Sequence, residues 1–392
     1  MPERPVRVGT VITRFAGGAG QLALRGILAM DREAFPATVV TGDPGRLATL
    51  ARDAGVEVIV VPELRAPIAP RDDVLALRRL IRLLRQYRFD VVHTHCAKAG
   101  TLGRIAARRA ATPWVVHTYH GFPFHRFQSM ARRHAYVTVE RRLGRLTDRA
   151  LCVGTAVAAE AARRRLVAPD RIRTIGVVVD HDGPTRDSES IRAARGELGL
   201  PRDAVVVGTV GRLTYQKAPE HFVAALARLR RPDVVGVWIG DGELADRTAA
   251  LARSTPGVRM VFAGERTDVP ALLPAFDVFA MASRYEGLPT AVVEAMVAGV
   301  PVVATAVNAV TDVVEPGRTG LLVPPGHPAL LGDAIGYLLD RPDRAAAFAA
   351  TARARLGDRF TSATLRDALA RAYRDDQSIC TTGHTLALLP ER

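Results

Sequence analysis

Short runs of β-branched residues alternate along this chain with longer stretches whose apolar positions recur at helical spacing. In the first half, the runs at 7–12, 38–41, 57–61, 91–94, 115–118 and 150–153 are apolar almost throughout, as strands covered on both faces are. The stretches between them, such as 75–86 and 133–146, carry the i, i+3, i+4 pattern of helices that bury one face. This alternation predicts a doubly wound parallel sheet. It pauses at 180–189, a polar stretch with Gly183 and Pro184, and restarts with strands at 205–210, 234–239, 258–262, 278–281 and 300–304. The expected fold class is therefore α/β, with two Rossmann-like domains at 1–180 and 181–364. Ligands of such sheets bind at the carboxyl edges of the strands, which here bound a cleft. Residues 365–392 read as a final helix near 365–373 and a tail that loses its period from about Ser378.

Composition narrows the function classes. The chain has 392 residues, 48% of them hydrophobic and 24% charged, which suits two folded domains. No apolar run approaches the roughly 18–20 residues of a membrane span, and the start Met1-Pro2-Glu3 has no signal-peptide layout, so a cytoplasmic location is expected. Cys96, Cys152 and Cys380 are odd in number and widely spaced, which argues against a disulfide framework and a zinc site. The net charge of +14 has two readings, a solvated arginine-rich surface or a face for anionic substrates or lipid. Nucleic acid fits less well, because aromatics are only 5% and no recognition motif occurs. Lys98 and Lys217 are the only lysines, so their positions carry information.

Two segments carry the sharpest chemistry. Glu286-Gly287-Leu288-Pro289-Thr290 leads from a strand into a helix that contains Glu294. Backbone N–H groups at such a helix start favour anions, and carboxylates eight residues apart lie just over two turns along one face. Gly211-Arg212-Leu213-Thr214-Tyr215-Gln216-Lys217 follows the first strand of the second domain and offers a forked donor and a point charge, a pairing suited to a diphosphate.

Together with Gly320-Leu321-Leu322-Val323-Pro324, these segments resemble retaining glycosyltransferases of family 4, glycosyl transferases group 1, which have the GT-B fold. The resemblance spans nearly the whole chain. It implies that a hexosyl group moves from a nucleotide diphosphate sugar, UDP before GDP, to an acceptor hydroxyl with its anomeric configuration kept. It implies that Arg212 and Lys217 bind the diphosphate, Glu294 the ribose and Glu286 the sugar. Gly287, Leu288 and Thr290 would line the donor site. Gly17 and Gly18, after the first strand, would lie near donor phosphates and acceptor, and His120 near the donor sugar. Lys98 and His120 would face the acceptor. No metal is expected to be needed. Acceptors compatible with the sequence are a cell-envelope glycan, a lipid-linked glycan or a small secondary metabolite, and the oligomeric state is left open.

The chain departs from the family pattern in two places. Asn308-Ala309 stands where members usually have Gly-Gly, in the run Asn308-Ala309-Val310-Thr311-Asp312, and Ala218 stands for the glycine after the lysine. Asparagine tolerates a left-handed backbone, whereas alanine at either place is less at ease with one.

Competing readings attach to other motifs. Gly18-x-Gly20-x-x-Ala23 with Asp43 downstream matches a dinucleotide fingerprint and would make an NAD(P)-dependent oxidoreductase. A non-catalytic sugar-nucleotide-binding protein is a further alternative. Six of ten histidines fall between His93 and His134, which raises a metal cluster, but no carboxylate or thiol completes a ligand set, and His93 and His95 read as satisfied strand-end residues. Asp180-His181-Asp182 reads as a solvated loop. The arginine-rich stretch 126–149 reads equally as a helix docking peripherally on anionic membrane and as a core helix with a charged outer face.

Overall fold

The computed structural model describes residues 4–179 and 183–374. Asp180-His181-Asp182 and the tail from 375, including Ser378 and Cys380, lie outside the described residues. The first sheet is built from β1 (Val8–Ile12), β2 (Ala37–Thr41), β3 (Glu57–Val60), β4 (Val91–His95), β5 (Trp114–Tyr119), β6 (Arg149–Cys152) and β7 (Ile172–Thr174). Its order is β3-β2-β1-β4-β5-β6-β7, parallel throughout. Six helices connect these strands: α1 (Gly17–Ala29), α2 (Arg46–Asp53), α3 (Pro70–Tyr87), α4 (Ala97–Arg109), α5 (Met130–Gly144) and α6 (Thr155–Arg163).

Strand alternation explains the layers. Val11 packs with Leu80, Leu84 and Leu102 of α3 and α4, and its neighbour Ile12 packs with Leu24, Ile27 and Leu47 of α1 and α2. Successive side chains of one strand thus feed opposite faces, which is why β1 is apolar along its whole length. The apolar run 172–179 forms strand only to Thr174, because the chain then turns to meet the second domain, where Val179 N–H donates to the Phe360 carbonyl.

α7 (Ser188–Glu197) begins inside the polar stretch, with Asp187 accepting hydrogen bonds from the N–H groups of Glu189 and Ser190 as its cap. The second sheet contains β8 (Val205–Val210), β9 (Val234–Ile239), β10 (Met260–Phe262), β11 (Val278–Met281), β12 (Val302–Thr305) and β13 (Leu321–Val323), in the order β10-β9-β8-β11-β12-β13. Its helices are α8 (Pro219–Leu229), α9 (Ala245–Ser254), α10 (Val269–Leu272), α11 (Thr290–Val297), α12 (Pro328–Leu339) and α13 (Pro342–Leu356). The Gly320–Pro324 segment holds β13 itself. Both domains are Rossmann-like, and in each the strand order reverses beside the first strand, so two switch points open on one cleft.

α14 (Ser362–Arg374) returns to the first domain and packs on α1. Trp114 Nε1 donates to the Ala372 carbonyl at 2.9 Å, and Tyr373 Oη pairs with His93 Nδ1 at 2.8 Å. α5 is anchored by charge as well as by Val137 and Leu143. Glu140, nearly inaccessible, accepts from Arg104 Nη2 at 2.9 Å and from Tyr119 Oη at 3.2 Å. Removing one partner of such a buried pair costs about 3–5 kcal/mol. α5 therefore has a core face, while Met130 and Val139 remain exposed on its outer side with Arg132, Arg141 and Arg142.

Candidate active site

The cleft between the sheets has a volume of about 1370 Å³ and is lined from both domains. Its second-domain floor is the loop after β8 and the turn between β11 and α11. Glu286 is nearly buried and holds three donors: Lys217 Nζ and Ser283 Oγ reach Oε1, each at 2.6 Å, and Gln216 Nε2 reaches Oε2 at 3.0 Å. Glu286 and Lys217 thus form one joined unit, where the sequence suggested two separate ones. Arg284 braces the same loop: its Nη1 donates to the Tyr215 carbonyl, its guanidinium lies over the Tyr215 ring, and it pairs with Glu220. Ser283, Gln216 and Arg284 were missed by sequence reasoning. Their only signal is adjacency to the two motifs.

Arg212 lines the cleft and has no ion pair among the described residues. Burial pushes the Cys96 thiol up to about 11, and the Arg212 guanidinium across the cleft acts in the opposite sense. α11 starts at Thr290 after Pro289 with no side-chain cap and no acidic residue in its first turn, and Thr290 and Ala291, its first two residues, line the cleft. Leu288 and Glu294 line the wall beside it.

The first-domain wall brings Gly17 and Gly18 to within reach of that helix. Gly17 has φ +60, and a Cβ on Gly18 would lie 3.6 Å from Thr290 Oγ1. His120 also lines the cleft, with Nε2 2.9 Å from His95 Nδ1. Burial lowers the His120 pKa to about 4, and burial with neighbouring histidines holds His95 well below the usual range, so both rings are neutral at pH 7. His93 bonds Tyr373 and Thr118, and His117 bonds Thr94. These nitrogens are occupied by hydrogen bonds, and no group of three metal-ligating side chains occurs among the described residues.

Lys98 is drawn away from the cleft. It pairs with Asp73 at 2.5 Å and donates to the Pro67 carbonyl at 2.7 Å, which fastens α4 to the start of α3. Asp43 accepts from Gly45 N–H at 2.9 Å and shapes its own loop, outside the residues that line the cleft. That leaves the dinucleotide reading without its ribose-binding acid.

The two departures from the family pattern resolve differently. Asn308 is left-handed at φ +42, while Ala309 is not, and it is buried against Gly154. Ala218 does adopt φ +50, at the start of α8.

Among the described residues, contacts cross the cleft at several further points. Asp312 accepts from Thr155 N–H at 2.5 Å and Thr155 Oγ1 at 2.6 Å, so the start of α6, which Gly154 does not cap, is capped from the other domain. The His125 and Tyr285 rings stack at 4.1 Å and 9°. Arg126 donates to the Pro325 carbonyl at 3.2 Å. Gly287 lies against the His120 carbonyl, where a Cβ would sit 1.9 Å from the oxygen.

Comparison with known proteins places these features. A profile described as Glycosyltransferase Family 4 matches residues 16–183, and one described as Glycosyl transferases group 1 matches 204–341. An Escherichia coli UDP-Gal:alpha-D-GlcNAc-diphosphoundecaprenol alpha-1,3-galactosyltransferase is 32% identical over 314 residues, covering 78% of this chain and 80% of that one. A Streptomyces kanamyceticus 2-deoxystreptamine glucosyltransferase is 31% identical over 306 residues, covering 73% and 77%. Among solved structures, Anabaena HepE in complex with UDP and glucose superposes with a TM-score of 0.80 at 22% identity, over 94% of this chain and all 100% of that one. WaaG, a glycosyltransferase involved in lipopolysaccharide biosynthesis, superposes with a TM-score of 0.74 at 18% identity, over 93% and 98%.

Proposed function

The chain belongs to the group 1, family 4 glycosyltransferases of the GT-B fold, and from that premise we propose that it transfers a hexosyl group from UDP to an acceptor hydroxyl with retention. The observation that carries the reading is the Lys217–Glu286 unit beneath the uncapped start of α11, opposite His120. Arg212, Lys217 and the α11 N–H groups receive the diphosphate and stabilise the negative charge that grows on it as the C1–O bond breaks. Fixed cations supply that stabilisation, so no metal is required. Glu286, held rigid by its three donors, orients Lys217 and meets the sugar hydroxyls, while Glu294 meets the ribose. Neutral His120 offers a hydrogen bond to the sugar without adding charge.

The acceptor oxygen forms its bond to C1 on the face from which UDP leaves, and its proton passes to the departing phosphate oxygen. Glu286 is a poor covalent nucleophile because its oxygens are already engaged, which favours this front-side route. A UDP-sugar donor draws support from the printed name of the Escherichia coli relative and from the UDP bound in HepE. The acceptor is a lipid-linked or cell-envelope glycan, with a small metabolite as the other arm. No helix among the described residues is long and apolar enough to cross a membrane, and the exposed Met130, Phe127 and Val139 among arginines suit peripheral contact with anionic lipid at its inner face. Proton NMR of the product formed from a UDP-α-hexose tests retention. A small H1–H2 coupling, as in an α-linked glucoside or galactoside, supports the account, and a β-linked product refutes it.

A further inference from the structure

The cleft wall supplied by the first domain is far more basic than the chain as a whole. Seven arginines line it against one carboxylate, Glu160, whereas the whole sequence has 54 basic and 40 acidic residues. The arginine-rich composition alone does not produce that ratio. Four of these side chains are already committed: Arg163 and Arg164 pair with Glu160, Arg126 donates to the Pro325 carbonyl, and Arg25 donates to the Val178 carbonyl. Three are left. Arg14 follows β1, Arg46 opens α2 after the neighbouring β2, and Arg133 lies in the first turn of α5. Among the described residues, none of these three guanidiniums has an ion pair or a hydrogen bond, and all three line the cleft.

Resting on the glycosyltransferase reading above, we infer that the acceptor is anionic, and that Arg14, Arg46 and Arg133 bind a phosphate or diphosphate on it. The donor's own diphosphate is served by Arg212, Lys217 and the α11 start on the other wall, so these arginines answer a second anion. Guanidinium forks match phosphate oxygens two at a time, which positions the acceptor as well as attracting it. Their field also disfavours a cationic acceptor such as an aminocyclitol. Leu47 and Leu50, one face of the same α2, line the wall beside Arg46, so an apolar chain attached to the phosphate has a surface to follow.

The test is calorimetric titration of UDP-saturated protein with decyl diphosphate, inorganic pyrophosphate and uncharged decyl glucoside. The wild type, Arg14→Gln/Arg46→Gln and Arg133→Gln are compared. Saturation with UDP blocks the donor phosphate site, and the UDP titration itself reports whether the donor pocket is intact. The inference expects both diphosphates to bind, 0.5 M salt to weaken them, and the double variant to lose about tenfold or more, a charge-assisted contact being strong. Decyl diphosphate binding tenfold tighter than pyrophosphate identifies a lipid-borne phosphate, and equal binding identifies a small phosphorylated acceptor. Normal UDP binding with no diphosphate binding, or with the double variant unaffected, overturns this inference alone. Failure of UDP to bind overturns the donor reading and this one with it.

Discussion

Gly287→Ala isolates the role of domain closure. The added Cβ would sit 1.9 Å from the His120 carbonyl oxygen, 2.8 Å from its carbon and 3.2 Å from Val153 Cγ2. The first two neighbours are backbone of the opposite domain, so no rotamer change relieves the overlap. Restoring ordinary contact requires the domains to part by more than about 1 Å at this point, the scale on which misplacement in an active site costs roughly 100-fold in rate. The overlap lies between domains and leaves both cores untouched, so the variant should melt within a few degrees of the wild type. UDP affinity should change by less than about threefold, because Arg212, Lys217 and the α11 start all belong to the second domain. Steady-state transfer from UDP-sugar, measured alongside UDP calorimetry, should therefore show kcat down by about two orders of magnitude with binding kept. A variant with kcat within threefold of wild type would refute the claim that this contact belongs to the reacting state.

Asp312→Ala removes the cap that α6 receives across the cleft; a lost cap is worth about 1–2 kcal/mol, so kcat should fall by up to about thirtyfold while the melting temperature barely moves. Ala218→Gly relieves a left-handed alanine but frees the unfolded chain and forfeits a buried methyl, so thermal melts should agree within about 1 kcal/mol, whereas Ala218→Val should lose more than about 2 kcal/mol from a β-branched side chain at φ +50. Burial lowers His93 to about 3 and His120 to about 4, so from pH 6.5 down to about 4 for His120 and about 3 for His93 the unfolded chain binds protons that the folded one refuses. Stability from these groups is complete above pH 6.5 and is lost as pH falls through that window; His120→Asn should flatten the fall in melting temperature, and an unchanged slope would count against a neutral buried His120.

Much of this arrangement was legible in the sequence because parallel strands buried on both faces leave unbroken apolar runs, as at Val205–Val210, and because glycine-opened loops and helix starts have local signatures. The Glu286 and Lys217 segments could be picked out for that reason. Their joining could not, since they lie 69 positions apart in sequence and are brought together through the β8–β11 pairing. Lys98 misled because rarity marks a lysine without saying which carboxylate it meets, and Asp73 lies on a separate helix. The Asp312 cap on Thr155 was hidden for a similar reason: a capping residue is normally sought just before its helix, and this one comes from the other domain.

A UDP-sugar site that works through Lys217 without a metal, as proposed above, has a plain signature in calorimetric titration with UDP and GDP. Micromolar binding of UDP is expected, with weaker binding of GDP, no change on adding EDTA, and a loss of at least about tenfold in Lys217→Ala. Binding abolished by EDTA, or UDP affinity unchanged in Lys217→Ala, would contradict it.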